Sequence, residues 1–125
     1  MKKLTALLCA TALIITASSC LHRNHSTSIT YNESDHYYDM YASYGWNKTD
    51  AVDRYLTRML GRRNVSYHSR INGTIALDDH TIFYIKKYPG ILRIKFNKDE
   101  NSYEAYENIK DMCEGIKDVL VDERR

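Results

Sequence analysis

A stretch of alternating hydrophobicity limits the fold more than any other feature of the sequence. Between residues 65 and 96 apolar and polar side chains alternate, most clearly where Leu92, Ile94 and Phe96 are separated by two basic residues. A period of two is typical of strands that bury one face and expose the other. The stretch therefore predicts antiparallel strands with a single core-facing side.

Turn signals divide this stretch into short strands. Asn72-Gly73 is a strong hairpin dipeptide, Asp78-Asp79 marks a second turn, and Pro89-Gly90 fits a type II turn. The segment from Thr81 to Lys86 is rich in β-branched and aromatic residues, which favour strands. Together these signals predict an antiparallel meander of three or four strands.

A short helix is predicted before the meander, over residues 35–44. Tyr37, Tyr41 and Tyr44 follow one another at intervals of four and three residues, which is the spacing of one helix face. Gly45 provides the end of this helix.

Two further helices have clearer apolar stripes. The stripe over residues 50–60 ends at Gly61, and the stripe over residues 102–121 is the longest in the chain. Asn101 with Glu104 fits a capping box at the start of the last helix. The predicted fold class is therefore α+β: a three- to four-stranded antiparallel sheet with helices packed on one face, in the order α-α-β-β-β(-β)-α.

The N-terminus has the features of an export signal. Lys2 and Lys3 precede an apolar run over residues 4–15, which is shorter than the roughly 20 residues of a membrane-spanning helix. The small residues at positions 17–19 come directly before Cys20. This pattern predicts cleavage near Cys20 and export from the cytoplasm.

The segment Ala17-Ser18-Ser19-Cys20 resembles the lipobox of bacterial lipoproteins. The resemblance implies that residues 1–19 are a signal peptide, that Cys20 is acylated, and that the protein is held on a membrane. Residues 20–33 are then the lipidated cysteine and a flexible tether, and residues 34–125 are the small α+β domain. In the enterobacterial pattern an Asp directly after the cysteine retains a lipoprotein at the inner membrane. Leu21 occupies that position here, so the pattern implies an outer-membrane lipoprotein facing the periplasm. An ordinary signal peptide would instead give a soluble periplasmic or secreted protein with Cys20 unmodified.

The charge of the mature chain argues against nucleic acid as a partner. The whole chain has 18 basic and 16 acidic residues. Lys2 and Lys3 leave with the signal, so the formal charge of the remainder is zero. The balance is uneven, with a basic stretch over residues 48–70 and an acidic one over residues 97–123.

Aromatic residues concentrate in the first half of the mature chain. Six of the 11 tyrosines lie between residues 31 and 55, together with the one tryptophan. Tyrosine and tryptophan combine an apolar face with a polar tip, which suits stacking on sugar rings or a protein hot spot. We therefore predict a binding surface made of Tyr37, Tyr41, Tyr44, Trp46, Arg54, Arg58 and Arg62. Alternatively, Tyr37, Tyr41 and Tyr55 pack in the core.

The sequence predicts no catalytic residues, no cofactor and no metal site. His22 and His25 lie in the predicted tether without further ligands, and Asp78-Asp79-His80 lies where the pattern requires a turn. Cys113 lies on the apolar stripe of the last helix and is expected to be buried. The predicted function is binding of an envelope protein or glycan. The alternative is an inhibitor or immunity-type protein that acts on a periplasmic hydrolase.

Overall fold

The structure, a computed structural model, describes residues 26–121, so the predicted signal peptide and Cys20 lie outside the described residues. Within that range the order of elements is β-β-α-β-β-β-α. The elements are β1 (Ser28–Glu33), β2 (Tyr37–Ser43), α1 (Thr49–Leu60), β3 (Ile71–Ala76), β4 (Ile82–Tyr88), β5 (Ile91–Asn97) and α2 (Tyr103–Val121), with short 3-10 helices at Trp46–Lys48 and Lys98–Glu100.

The strands form one antiparallel sheet in the order β1-β2-β5-β4-β3. The central strand is β5, which pairs with β2 on one side and with β4 on the other. Because β2 and β5 are separated in sequence by α1, β3 and β4, the sheet joins the two ends of the domain. The outer edges are β1 and β3.

Both helices cover the same face of this sheet. Leu92, Ile94 and Phe96 of β5 are buried on that face, as the alternation predicted. On the same face Lys87 of β4 bonds to α1, and Tyr31 of β1 donates a hydrogen bond to the Cys113 carbonyl of α2 at 3.5 Å. The core therefore lies between the sheet and the helix pair, and neither helix covers the opposite face, which we call the open face.

The predicted α+β class, with an antiparallel sheet and helices on one face, is confirmed in this architecture. The predicted strand count and order were wrong. The sheet has five strands instead of three or four, and the described chain begins with two strands instead of two helices.

The helix predicted over residues 35–44 is the strand β2. Its tyrosine spacing matches a helix, but Tyr38, Met40 and Ala42 also repeat with a period of two, and these are the residues that are buried. Tyr38 lies opposite Phe96 of β5 and Met40 opposite Ile94, so pairing with the central strand overrides the local spacing.

The predicted tether also extends too far. Residues 28–33 form β1, which pairs with β2 from Ser28 opposite Ser43 to Glu33 opposite Tyr38. An edge strand buries little, and this one has no regular apolar pattern, which is why it was interpreted as a tether. The ordered domain therefore includes Ser28 and begins before residue 34.

The hairpin predicted at Asn72-Gly73 was wrong. Both residues lie inside β3, and the turn that follows β3 is at residues 78–80, where Asp78-Asp79 predicted one. The expected strand around Val65 is a loop. The Val65 N–H donates to the Gly61 carbonyl at 3.0 Å and the Val65 carbonyl accepts the Thr57 hydroxyl at 3.3 Å, so both backbone groups bond to the end of α1 and its cap instead of to a strand.

Both longer helices were predicted correctly. Helix α1 ends at Gly61, whose φ is +91°, and α2 buries its apolar stripe. The cap of α2 differs from the prediction. The Ser102 hydroxyl accepts the Ala105 N–H at 3.0 Å, whereas the Asn101 side chain bonds to Ile82.

Candidate binding face

The predicted binding residues do not form one surface. Tyr37 and Tyr41 lie on the open face, because they alternate with the buried residues of β2. Tyr44 is only 5% exposed and belongs to the core, which corrects its assignment to the surface. Trp46 is 77% exposed, just beyond the end of β2. The three predicted arginines are exposed on or just after α1, in the layer that covers the other face: Arg54, Arg58 and Arg62.

The open face carries a group of basic and tyrosine side chains, which we call the open-face cluster. Its members come from three neighbouring strands: Tyr41 from β2, Arg93 and Lys95 from β5, and Tyr84, Lys86 and Tyr88 from β4. In the register of the sheet, Tyr41 and Lys86 lie on either side of Arg93, and Tyr84 lies opposite Lys95. The strand pairing therefore gathers three cations and three aromatic rings into one patch.

Each cation of the open-face cluster lies over a tyrosine ring. Such cation–π contacts contribute about 0.5–1 kcal/mol at exposed sites and orient the charged group. The distances to the ring centroids are 5.8 Å for Arg93 over Tyr41, 5.8 Å for Lys95 over Tyr84 and 5.6 Å for Lys86 over Tyr88. Arg70 joins from the loop before β3, at 5.2 Å from the Tyr88 ring.

The three cations of this cluster form no ion pair with a carboxylate of the described residues. Lys86 lies directly opposite Arg93, and like charges in that arrangement destabilise a sheet. Asp39 lies opposite Lys95, yet none of the ion pairs within 4.0 Å in residues 26–121 includes Lys86, Arg93 or Lys95. The Nε atom of Arg93 is also buried and has no hydrogen-bond partner in that range. An anionic ligand would remove this repulsion.

A cleft of about 510 Å³ continues the open face toward the start of β2. Tyr37, Tyr84 and Lys95 line it on the sheet, and His36 and Asp99 line it from the flanking turns. The His36 Nδ1 atom lies 3.0 Å from the Asp99 Oδ2 atom, and both side chains are exposed. The cleft therefore offers aromatic surface and both signs of charge to a polar ligand.

A buried ion pair lies on the opposite side of the sheet and is structural. Lys87 Nζ lies 2.9 Å from Asp53 Oδ1, and Asp53 Oδ2 accepts the His68 N–H at 2.9 Å. Lys87 also donates to the Ser69 carbonyl at 2.7 Å. These bonds fix the loop after α1 against β4. The signal of this pair in the sequence is one charged residue within each apolar pattern, and it was not predicted.

Cys113 is fully buried in α2, as its position on the apolar stripe predicted. Burial raises the pKa of its thiol to about 12. Since the thiolate is the reactive form, this side chain is an inert part of the core.

The other candidate residues remain apart from one another. His80 lies in the β3–β4 turn with a φ of +75°, and the neighbouring Asp79 carboxylate accepts the Thr81 N–H at 3.1 Å, so this segment is the predicted turn. His22 and His25 lie outside the described residues. Across residues 26–121 no three His, Cys, Asp or Glu side chains are grouped so that they could hold a metal ion.

Comparison with known proteins gives no family for the chain: no protein-family model, no curated protein and no solved structure matches it. In the part of the chain that the structure describes, no helix has the length and apolar character needed to span a membrane.

The open-face cluster had a partial signal in the sequence. The alternation in β5 assigned Arg93 and Lys95 to an exposed side, and Tyr84, Lys86 and Tyr88 alternate in the same way in β4. A two-residue turn at Pro89-Gly90 places Tyr88 opposite Ile91, and hence Lys86 opposite Arg93. The turn was predicted from the sequence, but the strand register that it sets was not. Tyr41 could not be added, because its pairing with β5 is non-local.

Proposed function

We propose that this chain is a non-catalytic lipoprotein of the bacterial cell envelope that binds an anionic glycan across the open face of its sheet. In this proposal Cys20 is the acylated anchor, and the protein lies on the outer membrane facing the periplasm. The export signal and the lipobox-like segment support the anchor. The open-face cluster supports the ligand class.

The observation that carries the ligand class is the unbalanced pair of Lys86 and Arg93. Holding two cations side by side lowers the stability of the sheet unless an anion is bound between them, so this pair is better explained by ligand binding than by folding. Carboxylate, phosphate or sulfate groups would form charge-assisted hydrogen bonds with these side chains. The tyrosine rings beside them offer apolar edges for sugar rings. A glycan with acidic groups combines both features.

Neutralising the pair is expected to separate binding from folding. Lys86→Gln and Arg93→Gln should each weaken binding of polygalacturonate about tenfold, because each removes a charge-assisted contact of about 1.5 kcal/mol. The free energy of unfolding in urea should change by less than about 1 kcal/mol, because the lost cation–π contact and the lost repulsion between the two cations offset each other. Calorimetric titration and urea unfolding measure the two effects.

The matched control for these variants is Arg54→Gln, which removes an exposed charge from α1 in the opposite layer. Its affinity should equal that of the unchanged protein, and neutral dextran should bind to none of the three variants. Undiminished polygalacturonate binding by Lys86→Gln and Arg93→Gln, or equal binding of dextran, would contradict an anionic glycan at this face.

The anchor is tested by the intact mass of the protein extracted from the membranes of its native host. The expected mass is that of residues 20–125 plus acyl chains, because two or more chains hold a protein stably on a bilayer. A soluble protein whose mass shows an unmodified Cys20 would show that the anchor assignment is wrong.

A further inference from the structure

The two ends of the sheet differ in charge. The turns at one end, over residues 34–36, 77–81 and 98–101, carry five carboxylates: Asp35, Asp78, Asp79, Asp99 and Glu100. The segments at the other end cover residues 44–48, 66–70 and 89–90, and they contain no acidic residue. We call this second end the Trp46 end. Of the two ends of the sheet, it is the one that an anionic surface would attract.

Aromatic and basic side chains are exposed at the Trp46 end. Trp46 is 77% exposed and stands beside the β4–β5 turn, where a β-carbon built at Gly90 would lie 3.3 Å from Trp46 Cδ1. Gly90 has a φ of +82°, so the turn keeps a glycine there and leaves room for the indole. Arg70 lies over Tyr88 at the same end. Tryptophan, tyrosine and arginine are the side chains that favour the headgroup region of a bilayer.

The chain enters the sheet at this same end. Ser28 begins β1 opposite Ser43, the last residue of β2. Cys20 lies eight positions before Ser28, and eight residues span at most about 28 Å. An acyl anchor on Cys20 is therefore attached at the Trp46 end, and the acidic end lies a strand length away from that attachment point.

We infer that the Trp46 end docks on an anionic lipid surface, with the Trp46 indole in the headgroup region and Arg70 against lipid phosphates. This inference depends on the proposed lipoprotein anchor and adds an orientation to it. Two parts of the helix layer reach this end. Asp50 of α1 lies 3.9 Å from the His68 imidazole, and the Leu120 carbonyl near the end of α2 accepts a hydrogen bond from Lys48 Nζ at 2.6 Å, with the exposed Asp118 two positions earlier. In the docked orientation the strands stand upright on the membrane, and the open face stays accessible to its ligand.

The experiment uses the full lipidated protein reconstituted in two kinds of vesicle. One kind is pure phosphatidylcholine, and the other is an equal mixture of phosphatidylcholine and phosphatidylglycerol. Because Trp46 is the only tryptophan, the emission of the protein reports this side chain directly. We expect emission at shorter wavelength and quenching by brominated lipids in the anionic vesicles only, with both effects lost in high salt.

Arg70→Gln and Arg58→Gln form a matched pair of variants. Each arginine lies over a tyrosine ring, at 5.2 Å and 5.5 Å, but only Arg70 is at the Trp46 end. Arg70→Gln should lower the ratio of docked to undocked protein about fivefold, whereas Arg58→Gln should leave it unchanged. Identical Trp46 emission on both kinds of vesicle would overturn the docking without contradicting the acyl anchor on Cys20. A mass without acyl chains would overturn the anchor itself.

Discussion

Lys87 shows how a single residue decides the stability of this core. It is on the buried side of β4, and its ammonium is compensated by the Asp53 carboxylate and the Ser69 carbonyl. Both members of the ion pair are at most 3% exposed, so neither is hydrated if the other is lost. Removing one partner of such a pair leaves an uncompensated charge in a medium of low polarity.

Lys87→Met is therefore expected to lower the free energy of unfolding by about 3–5 kcal/mol, because it leaves Asp53 buried and unpaired. Urea unfolding followed by circular dichroism measures this. The matched variant is Lys98→Met, which removes the partner of Glu33 in an ion pair that is partly exposed. That change should cost about 1 kcal/mol or less. Equal losses in the two variants would show that the buried pair has no special role.

At the scale of elements, the contact between α1 and α2 depends on a glycine. Tyr55 of α1 lies over Gly115 of α2, and its hydroxyl donates to the Met112 carbonyl at 3.2 Å. A β-carbon at position 115 would collide with the Tyr55 hydroxyl oxygen and would lie 2.6 Å from Cζ. Gly115 weakens the helix locally by about 1 kcal/mol but allows the two helices to approach.

Gly115→Ala is expected to destabilise the protein by up to about 1 kcal/mol, because Tyr55 must move and lose its hydrogen bond while the better helix propensity of alanine offsets part of the loss. Thermal and urea unfolding measure the change. Gly73→Ala is the control, since a β-carbon there meets nothing within 4 Å, and it should be close to neutral. In a Tyr55→Leu background Gly115→Ala should become neutral or stabilising. A loss that persists in that background would place the cause elsewhere.

The elements also differ in how far the sequence predicts them. Helix α1 and helix α2 carry their own apolar stripes, so local pattern is sufficient, and Gly61 marks the end of the first. Strand β1 is an edge strand with little apolar periodicity, and its order comes from pairing with β2. Strand β2 satisfies two periods at once, and only its contact with β5 selects the strand. Pairing between strands, local for β1 and non-local for β2, therefore decided the elements that were predicted incorrectly.

At the scale of the whole molecule, the candidate binding site also depends on strand pairing that the local sequence does not reveal. The predicted surface joined residues that are close in sequence, but β2 exposes Tyr37 and Tyr41 on one side of the molecule while α1 is on the other. The open-face cluster joins Tyr41 to β4 and β5, more than 40 positions later in the chain. Composition indicated aromatic and basic residues as the binding chemistry, and only the strand order assigns them to a surface.

The position of β5 at the centre of the sheet has a consequence for the order in which the molecule is assembled. The hairpin of β1 and β2 precedes the other elements of the described domain, yet the free edge of β2 has no strand partner until residues 91–97 are available. Pairing across so long a stretch of chain is slow, because the loop entropy must be lost before any contact forms. The five-stranded sheet therefore cannot close until β5 is available, although β1, β2, α1, β3 and β4 all precede it in the chain.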